Sequence, residues 1–390
     1  MSVYKLEGAY RSYPWGSRTL IAGLRGEPVP STRPEAELWF GAHPGAPSYV
    51  DGTPLDQIIA QNPQQTLGTS LADDHPAALP FLVKLLAADQ PLSLQAHPSK
   101  QQAEDGYDRE DSAGIPVDAP QRNYKDRNHK PEVIIALTEF TAMVGFRPLD
   151  KTMELFTALD CPLASRYVAM VDATGDEEAG LRALFTTWIS LPRSAREELI
   201  SAIMESASAL GQRGDWIGDV LNNAAALNER YPGDVGVLGS LLLNLVTLQP
   251  GEALFLDAGN LHAYVSGLGV EVMANSDNVL RGGLTSKYVD VGELVRVLKF
   301  QSLSDPRVPE GPNGYEVPVD DFTVRRLNIE PGHDCTADVT GPVIALCTRG
   351  RAQIGDVMVP QGNAVWIPAE SDAVTLSAEN APAEIFWVTC

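Results

Sequence analysis

One short segment with strictly alternating side chains constrains this chain more than any other. Between residues 91 and 98, the polar residues Ser93, Gln95 and His97 alternate with apolar ones. In an extended strand, successive side chains point to opposite faces, so one face would be apolar and the other would carry a hydroxyl, an amide and an imidazole. Such a strand either exposes its polar face to solvent or lines a binding site.

Three further apolar runs carry polar side chains, and together they favour a binding site. Lys84 lies inside the run 81–88, where a charge requires a cavity or an anionic partner. Lys130 and Glu132 precede the run 133–137, and His262 and Tyr264 follow the run 251–256. We therefore predict that four strands direct polar side chains into one cavity.

The polar residues of these strands predict a divalent metal site. His97, His262, Glu132 and Gln95 would offer two imidazoles, a carboxylate and an amide. Imidazole and carboxylate suit zinc at about 2.0–2.2 Å, and zinc binds such ligands more tightly than manganese or ferrous iron does. The residue types alone leave the metal open, and an iron oxygenase with two histidines and one carboxylate is the alternative. Gln95 argues against the oxygenase, because it would fill a coordination position that an oxygenase keeps free.

Seven segments of the chain, taken in order, resemble one family, the type I mannose-6-phosphate isomerases, also called phosphomannose isomerases. So long an ordered set is far more specific than any one of its members. The segments are YPWGS (13–17), ELWFGAHP (37–44), PFLVK (80–84), QAHP (95–98), HKPE (129–132), GNLHAY (259–264) and EVMANSDNVLRGG (271–283).

The resemblance implies a zinc-dependent enzyme that interconverts mannose 6-phosphate and fructose 6-phosphate through an enediol intermediate. It implies one zinc ion per chain, held by Gln95, His97, Glu132 and His262, and it makes Arg281 a catalytic residue. A guanidinium stays protonated, so Arg281 would orient hydroxyls or stabilise oxyanion charge. Without the resemblance, Arg281 beside two glycines would be an ordinary loop cation.

The resemblance further implies that Lys84, Ser93 and Lys287 help to hold the phosphate of the substrate. Moving a carbonyl between neighbouring carbons also requires a base beside the carbon that loses a proton. Glu271 and Lys130 are the candidates for this base, and neither spacing nor composition decides between them. Tyr264 would contact the substrate or only wall the cavity.

Two rival functions and three of the four other histidines complete the list of alternatives. A sugar-sensing cupin would need the metal and phosphate groups but neither Arg281 nor a base, and an oxygenase would need no phosphate lysines. His43 lies in a matching segment, so it would either approach the site or pack a turn. His75 and His333 are expected at the surface.

Composition limits the partners of the chain. Its 390 residues carry a net charge of −22, which argues against nucleic acid and anionic membranes, because both require a basic surface. A small sugar phosphate would then need a local patch of cations. The four cysteines form no CxxC motif, and we find neither a leader peptide nor an apolar run of membrane length, so we expect reduced thiols and a cytoplasmic location. The sequence leaves the oligomeric state open, a monomer being one option.

Strand and helix patterns alternate along the chain. Strand patterns dominate residues 1–149, helical spacing fills 150–247 with a capping box at Ser194 and Glu197, and strands return in 248–310 and 311–390. We predict a mainly β protein with a helical insertion. Residues 1–149 and 248–310 would form a catalytic jelly roll, and 311–390 a second jelly roll without metal. The family resemblance implies that the jelly-roll barrels are cupin-like and accompany an α-helical domain.

Overall fold

Helices and strands contribute almost equally to this protein. The structure, a computed structural model, describes residues 3–74 and 78–390. About 30% of the chain is helical and about 31% is strand, so the prediction of a mainly β protein underestimates the helices. Among the described residues, the sheets are antiparallel and none of them closes into a barrel.

The helices and strands follow one another in a β-rich part, a helical part and a second β-rich part. The first part contains β1 (Tyr4–Leu6), β2 (Ala9–Arg11), α1 (Leu20–Leu24), β3 (Glu37–Phe40), β4 (Tyr49–Val50), β5 (Thr53–Pro54), α2 (Leu55–Gln61), α3 (Pro63–Leu67), α4 (Thr69–Asp74), β6 (Phe81–Ala88), β7 (Leu94–Ala96), α5 (Lys100–Ser112), β8 (Glu132–Ala136) and β9 (Phe140–Phe146). The helical part contains α6 (Leu149–Leu159), α7 (Pro162–Thr174), α8 (Glu177–Ile189), α9 (Arg193–Leu210), α10 (Trp216–Arg230) and α11 (Val235–Ser240). The last part contains β10 (Leu243–Leu248), β11 (Ala253–Leu256), β12 (His262–Ala274), β13 (Leu280–Gly283), α12 (Val291–Val297), β14 (Arg307–Val308), β15 (Glu310–Gly311), β16 (Gly314–Tyr315), β17 (Thr323–Ile329), β18 (Cys335–Ala337), β19 (Val343–Arg349), β20 (Arg351–Ile354), β21 (Val357–Pro360), β22 (Asn363–Ile367), β23 (Val374–Ala378) and β24 (Ala383–Thr389).

The long strand β12 organises the largest sheet. Its first half pairs with β7 and β9, and its second half pairs with β6 and β8, so a single strand belongs to two walls. The pairing with β9 shifts register between Tyr264 and Ser266. Gly267 follows with a φ of +123°, and a Cβ atom there would lie 2.7 Å from the carbonyl oxygen of Glu139. Only glycine fits this bend, because any side chain would clash and the backbone lies in a region that other residues avoid.

The bend in β12 makes the two walls face each other. In a straight strand, the backbones of Tyr264 and Glu271 would be about 23 Å apart, yet the Tyr264 hydroxyl donates a 2.9 Å hydrogen bond to Glu271. Val270 and Val272 on the opposite face pack into the core that this sheet shares with the C-terminal sheets. One end of the space between the walls is apolar and includes Leu86, Ile134, Phe140, Val144 and Leu254. The other end contains the polar residues that the sequence singles out.

Helices α6 to α11 pack against β7 and β13 around a large apolar cluster that includes Phe185 and Trp188. The predicted capping box at Ser194 and Glu197 is wrong. Helix α9 begins at Arg193 after Pro192, without any side-chain cap, and the Glu197 carboxylate instead pairs with the Arg193 guanidinium at 2.7 Å. Every helix in the described part of the chain is too short or too polar to cross a bilayer.

Two antiparallel sheets form the C-terminal part. The five-stranded sheet has the order β1-β22-β19-β24-β17, and the four-stranded sheet has the order β18-β23-β20-β21. A separate apolar cluster, which includes Val343, Ile367 and Trp387, lies at these sheets. Strand β1 pairs with β22, Tyr4 opposite Trp366, so the beginning of the chain is joined to its end.

Candidate active site

Three buried residues form a cluster with the composition of a metal site. His97, Glu132 and His262 come from the end of β7, the start of β8 and the start of β12, and each is at most 2% exposed. The His97 Nε2 atom lies 3.4 Å from Glu132 Oε1, and the His262 Nε2 atom lies 3.6 Å from Glu132 Oε2. Their potential ligand atoms all lie within 4.8 Å of one another. The three atoms could therefore contact a single ion.

The hydrogen bonds around the cluster leave its ligand atoms free. The Nδ1 atom of His97 bonds to the Asn278 carbonyl oxygen at 2.7 Å, and that of His262 bonds to the Asn260 carbonyl oxygen at 3.0 Å. A carbonyl oxygen can only accept, so both Nδ1 atoms carry the proton and both Nε2 atoms present a lone pair. These Nε2 atoms and Glu132 Oε2 are buried without any hydrogen-bond partner in the described structure. Buried polar atoms rarely stay unpaired, so the cluster fits a divalent metal ion.

The electrostatics of the cluster suit a metal as well. Burial lowers the pKa of His97 to about 4, so this imidazole is neutral at pH 7, as a metal ligand must be. Burial raises the pKa of Glu132, but the neighbouring His97 and Lys130 lower it well below its usual value. Glu132 is therefore ionised. Two neutral imidazoles and one carboxylate are a ligand set that zinc accepts.

Gln95 lies beside the cluster. On β7 it is directly opposite His262 of β12 on one side and Arg281 of β13 on the other. Residues directly opposite each other in antiparallel strands share a face, so the three side chains form one row. The Gln95 amide has no hydrogen bond with another described residue, and its half-buried position leaves it available to the cluster. Its role as fourth ligand stays a prediction.

The structure places Arg281 on a strand, and the expectation of a loop is wrong. β13 continues through Gly282 and Gly283, because Gly283 has a φ of +132° and a Cβ atom there would lie 2.6 Å from the Gly236 backbone nitrogen. Arg281 is half-buried, and burial lowers its pKa. Within residues 3–74 and 78–390, its guanidinium has no hydrogen bond and no ion pair. A cation in this state can bind a substrate anion without first breaking a protein contact.

A second polar network lies on the opposite wall. The Lys84 ammonium group contacts Glu271 at 2.9 Å and Glu37 at 4.0 Å, and it lies 5.1 Å from the centre of the Trp39 ring. Tyr264 bonds to the second oxygen of Glu271, and the Trp39 indole donates to Glu37 at 2.8 Å. Lys84 is therefore engaged with carboxylates, and the structure does not bring it together with Lys287. The contact of Lys84 with the substrate phosphate stays a prediction.

The pKa values of this network follow from its burial. Burial raises the pKa of Glu271, Lys84 lowers it, and the charge of Glu132 raises it again, so that it stays above its usual value. Burial and the charge of Glu271 also raise the pKa of Tyr264 well above its usual value. A carboxylate with a raised pKa is better matched to proton transfer near neutral pH.

The remaining predicted residues lie at the edge of the cluster. The Lys130 ammonium group is 3.3 Å from Glu132 Oε1, so the two candidate bases, Lys130 and Glu271, approach the site from different sides. Ser93 is half-buried on the segment before β7. Lys287 is exposed, and its pKa is lowered by burial of part of the side chain, by Arg281 and by Lys125.

Among the other described histidines, His43 lies near the site, and His129 pairs with Asp321 at 2.9 Å. The His43 Nε2 atom is 3.3 Å from Asp277, and its Nδ1 atom accepts a hydrogen bond from the Gly45 backbone, so His43 joins two loops. His333 is exposed, as predicted, and His75 lies outside the described residues. Sequence reasoning missed Asn278, which is fully buried and holds His97 through its carbonyl group. Its position in the matching segment 271–283 was the only available signal.

Comparison with known proteins decides the family. A family model described as the catalytic domain of type I phosphomannose isomerase matches residues 3–149. The mannose-6-phosphate isomerase of Escherichia coli strain K12 is 37% identical in an alignment that covers 98% of this chain and 99% of that protein. The chain belongs to the type I mannose-6-phosphate isomerase family.

Other members of the mannose-6-phosphate isomerase family agree with this assignment. The human mannose-6-phosphate isomerase is 36% identical over 85% of this chain and 82% of its own length. A crystal structure of a zinc-bound mannose 6-phosphate isomerase superposes with a TM-score of 0.89 and 35% identity, covering 100% of this chain and 99% of that one. The resemblance noted in the sequence is therefore confirmed. That isomerase binds zinc, which is the metal predicted for this chain. In this chain the candidate metal site consists of His97, Glu132 and His262.

Proposed function

We propose that this chain interconverts mannose 6-phosphate and fructose 6-phosphate and that it uses one zinc ion. His97, Glu132 and His262 would hold the ion, with Gln95 as a fourth ligand. The observation that carries the proposal is the set of three buried ligand atoms without a hydrogen-bond partner. Membership of the isomerase family and the zinc-bound relative support it.

The chemistry requires one proton to leave C2 of the aldose and one to arrive at C1, while a hydroxyl proton moves from O2 to O1. Loss of the C2 proton leaves an enediolate with negative charge on these oxygens, and a bound zinc ion would supply positive charge beside them. Arg281 shares a row with Gln95 and His262, so its guanidinium can approach the same oxygens from β13. A permanent cation stabilises the charge without taking part in proton transfer.

Glu271 and Lys130 remain the two candidates for the base. Glu271 has a raised pKa and accepts hydrogen bonds from Lys84 and Tyr264, which hold its carboxylate in place. Lys130 lies beside the candidate ligand Glu132, where its positive charge helps to keep that carboxylate ionised. We favour Glu271 as the base and propose that Lys130 contacts the sugar oxygens. Tyr264 would hold Glu271 in place and wall the cavity.

We also propose that the fold is that of two cupin-like jelly rolls with a helical insertion. Residues 1–149 and 248–310 would form the catalytic unit, 150–247 the insertion and 311–390 the metal-free unit. The shared strand β12 and the paired C-terminal sheets support this division. The pairing of β1 with β22 adds the first strand to the C-terminal sheet.

The phosphate end of the substrate gives the first prediction. Lys287→Ala should raise the KM for mannose 6-phosphate about tenfold, because one charge-assisted contact to the phosphate is lost. Turnover of unphosphorylated mannose should stay unchanged. A coupled assay of fructose 6-phosphate formation measures the first reaction, and detection of fructose measures the second.

Lys5→Ala is the control for this experiment, because Lys5 is exposed on β1 and also carries one positive charge. If Lys287→Ala loses activity equally on both sugars, Lys287 contacts the sugar part of the substrate or stabilises the fold. If the wild-type protein binds mannose 6-phosphate without converting it, the isomerase proposal is wrong and the sugar-sensor alternative is favoured.

A further inference from the structure

Three cations gather beside the candidate active site without a partner of opposite charge. Lys125 and Arg281 are the two charged groups that act on Lys287, and both lower its pKa. Within the described ranges, none of the three ammonium or guanidinium groups lies within 4.0 Å of a carboxylate. The Lys125 ammonium group contacts only the Val117 carbonyl oxygen, at 3.4 Å, which leaves most of its donors free.

The position of Lys125 is fixed by its backbone. Its amide donates a 2.7 Å hydrogen bond to the side chain of Asn278, which is fully buried and also donates from its amide group to the Asp126 and Asn128 carbonyl oxygens at 2.8 Å each. Asn278 lies three residues before Arg281. The segment that carries Lys125 is thus tied to the strand that carries Arg281.

The same segment is tied to the loop that carries Lys287. The amide group of Asn123 donates to Asp290 at 3.1 Å, and the Tyr124 hydroxyl donates to Glu293 at 2.6 Å. Asp290 lies three residues after Lys287 and caps helix α12. These contacts tie the segment that carries Lys125 to the segments that carry Arg281 and Lys287.

Charge balance makes this arrangement unusual. The chain has 51 acidic and 29 basic residues, so a cation on its surface has many carboxylates to pair with. Neighbouring cations repel one another, and an anion that binds between them relieves the repulsion. The row Arg281–Gln95–His262 leads from this cluster to the metal ligands. A substrate with a carbonyl at one end and a phosphate at the other matches that arrangement.

We propose that Lys125 joins Lys287 in the phosphate subsite, beside the catalytic Arg281, and that it helps the enzyme select phosphorylated over free sugars. This inference rests on the proposed function. It adds a residue from the segment before Glu132 that no sequence pattern singles out.

Lys125→Gln tests the proposal, because it removes the charge and keeps the backbone contacts and most of the side-chain length. We expect the KM for mannose 6-phosphate to rise about tenfold with little change in kcat, while kcat/KM for free mannose stays within twofold. Lys125→Arg should recover most of the loss. Calorimetric titration with inorganic phosphate should show about tenfold weaker binding to Lys125→Gln, and this difference should shrink as salt is added.

Lys5→Gln, with the same charge change on an exposed strand, is the matched control and should behave as wild type. Unchanged phosphate binding in Lys125→Gln, or equal losses on both sugars, would overturn the assignment. A wild-type protein that binds phosphate and converts neither sugar would refute the proposed isomerase. In that case, the phosphate titration would still show whether Lys125 binds phosphate.

Discussion

His262→Ala should release zinc and abolish most of the activity. The Nε2 atom of His262 is one of the buried ligand atoms without a partner, and its tautomer is set by the Asn260 carbonyl oxygen. Loss of a supporting partner of a metal ligand typically costs about 10–100-fold in metal affinity, so loss of the ligand itself should cost at least ~100-fold. Competition with a chromophoric chelator measures the affinity, and the coupled assay measures turnover.

The exposed His333 provides the control for this experiment. His333→Ala removes an imidazole outside the cluster and should keep wild-type zinc affinity and turnover. If His262→Ala keeps one tightly bound zinc ion and normal turnover, then His262 is not a ligand. A variant that loses zinc but keeps its activity would separate the metal from the reaction.

Arg281→Ala should keep zinc and lose turnover. The guanidinium is half-buried, has no ion pair among the described residues and shares a row with Gln95 and His262. Removing one donor that stabilises oxyanion charge typically costs about 10²–10³ in kcat. We therefore expect kcat to fall at least ~100-fold while zinc affinity changes by less than about twofold, because Arg281 is not a metal ligand.

The control variant is Arg33→Ala, which removes an exposed guanidinium from the loop before β3. It should match the wild type in zinc content, KM and kcat. If Arg281→Ala raises only the KM for mannose 6-phosphate, then Arg281 belongs to the phosphate subsite alone. If it turns over at the wild-type rate, its catalytic assignment fails.

Period-2 alternation predicted strand β7, because a strand with one buried apolar face directs its intervening polar residues to the other face. Ser93, Gln95 and His97 do lie on one side of β7 and its flanks, and the burial of their apolar neighbours confirms the strand. The metal cluster followed from residue types, since buried imidazoles and a buried carboxylate need a common partner. The alternation depends on local sequence alone, whereas the cluster also needs the pairing of β7, β8 and β12.

The contacts that depend on long-range register could not be predicted in this way. Lys84 meets Glu271 because β6 and β12 pair in one particular register. Arg281 extends a strand because Gly283 packs against the backbone of Gly236, 47 residues earlier in the sequence. Asn278 holds His97 through its backbone carbonyl group, which every residue type has. The capping box failed because the proline before α9 sets the start of that helix.

The most direct test of the zinc-dependent isomerase combines metal analysis with conversion of mannose 6-phosphate followed by NMR. Purified protein should contain about one zinc ion per chain and convert mannose 6-phosphate to an equilibrium mixture with fructose 6-phosphate. Dialysis against a chelator should remove both the zinc and the activity, and added zinc should restore them. Zinc-loaded protein that leaves mannose 6-phosphate unchanged, or metal-free protein that converts it at the full rate, would contradict the assignment.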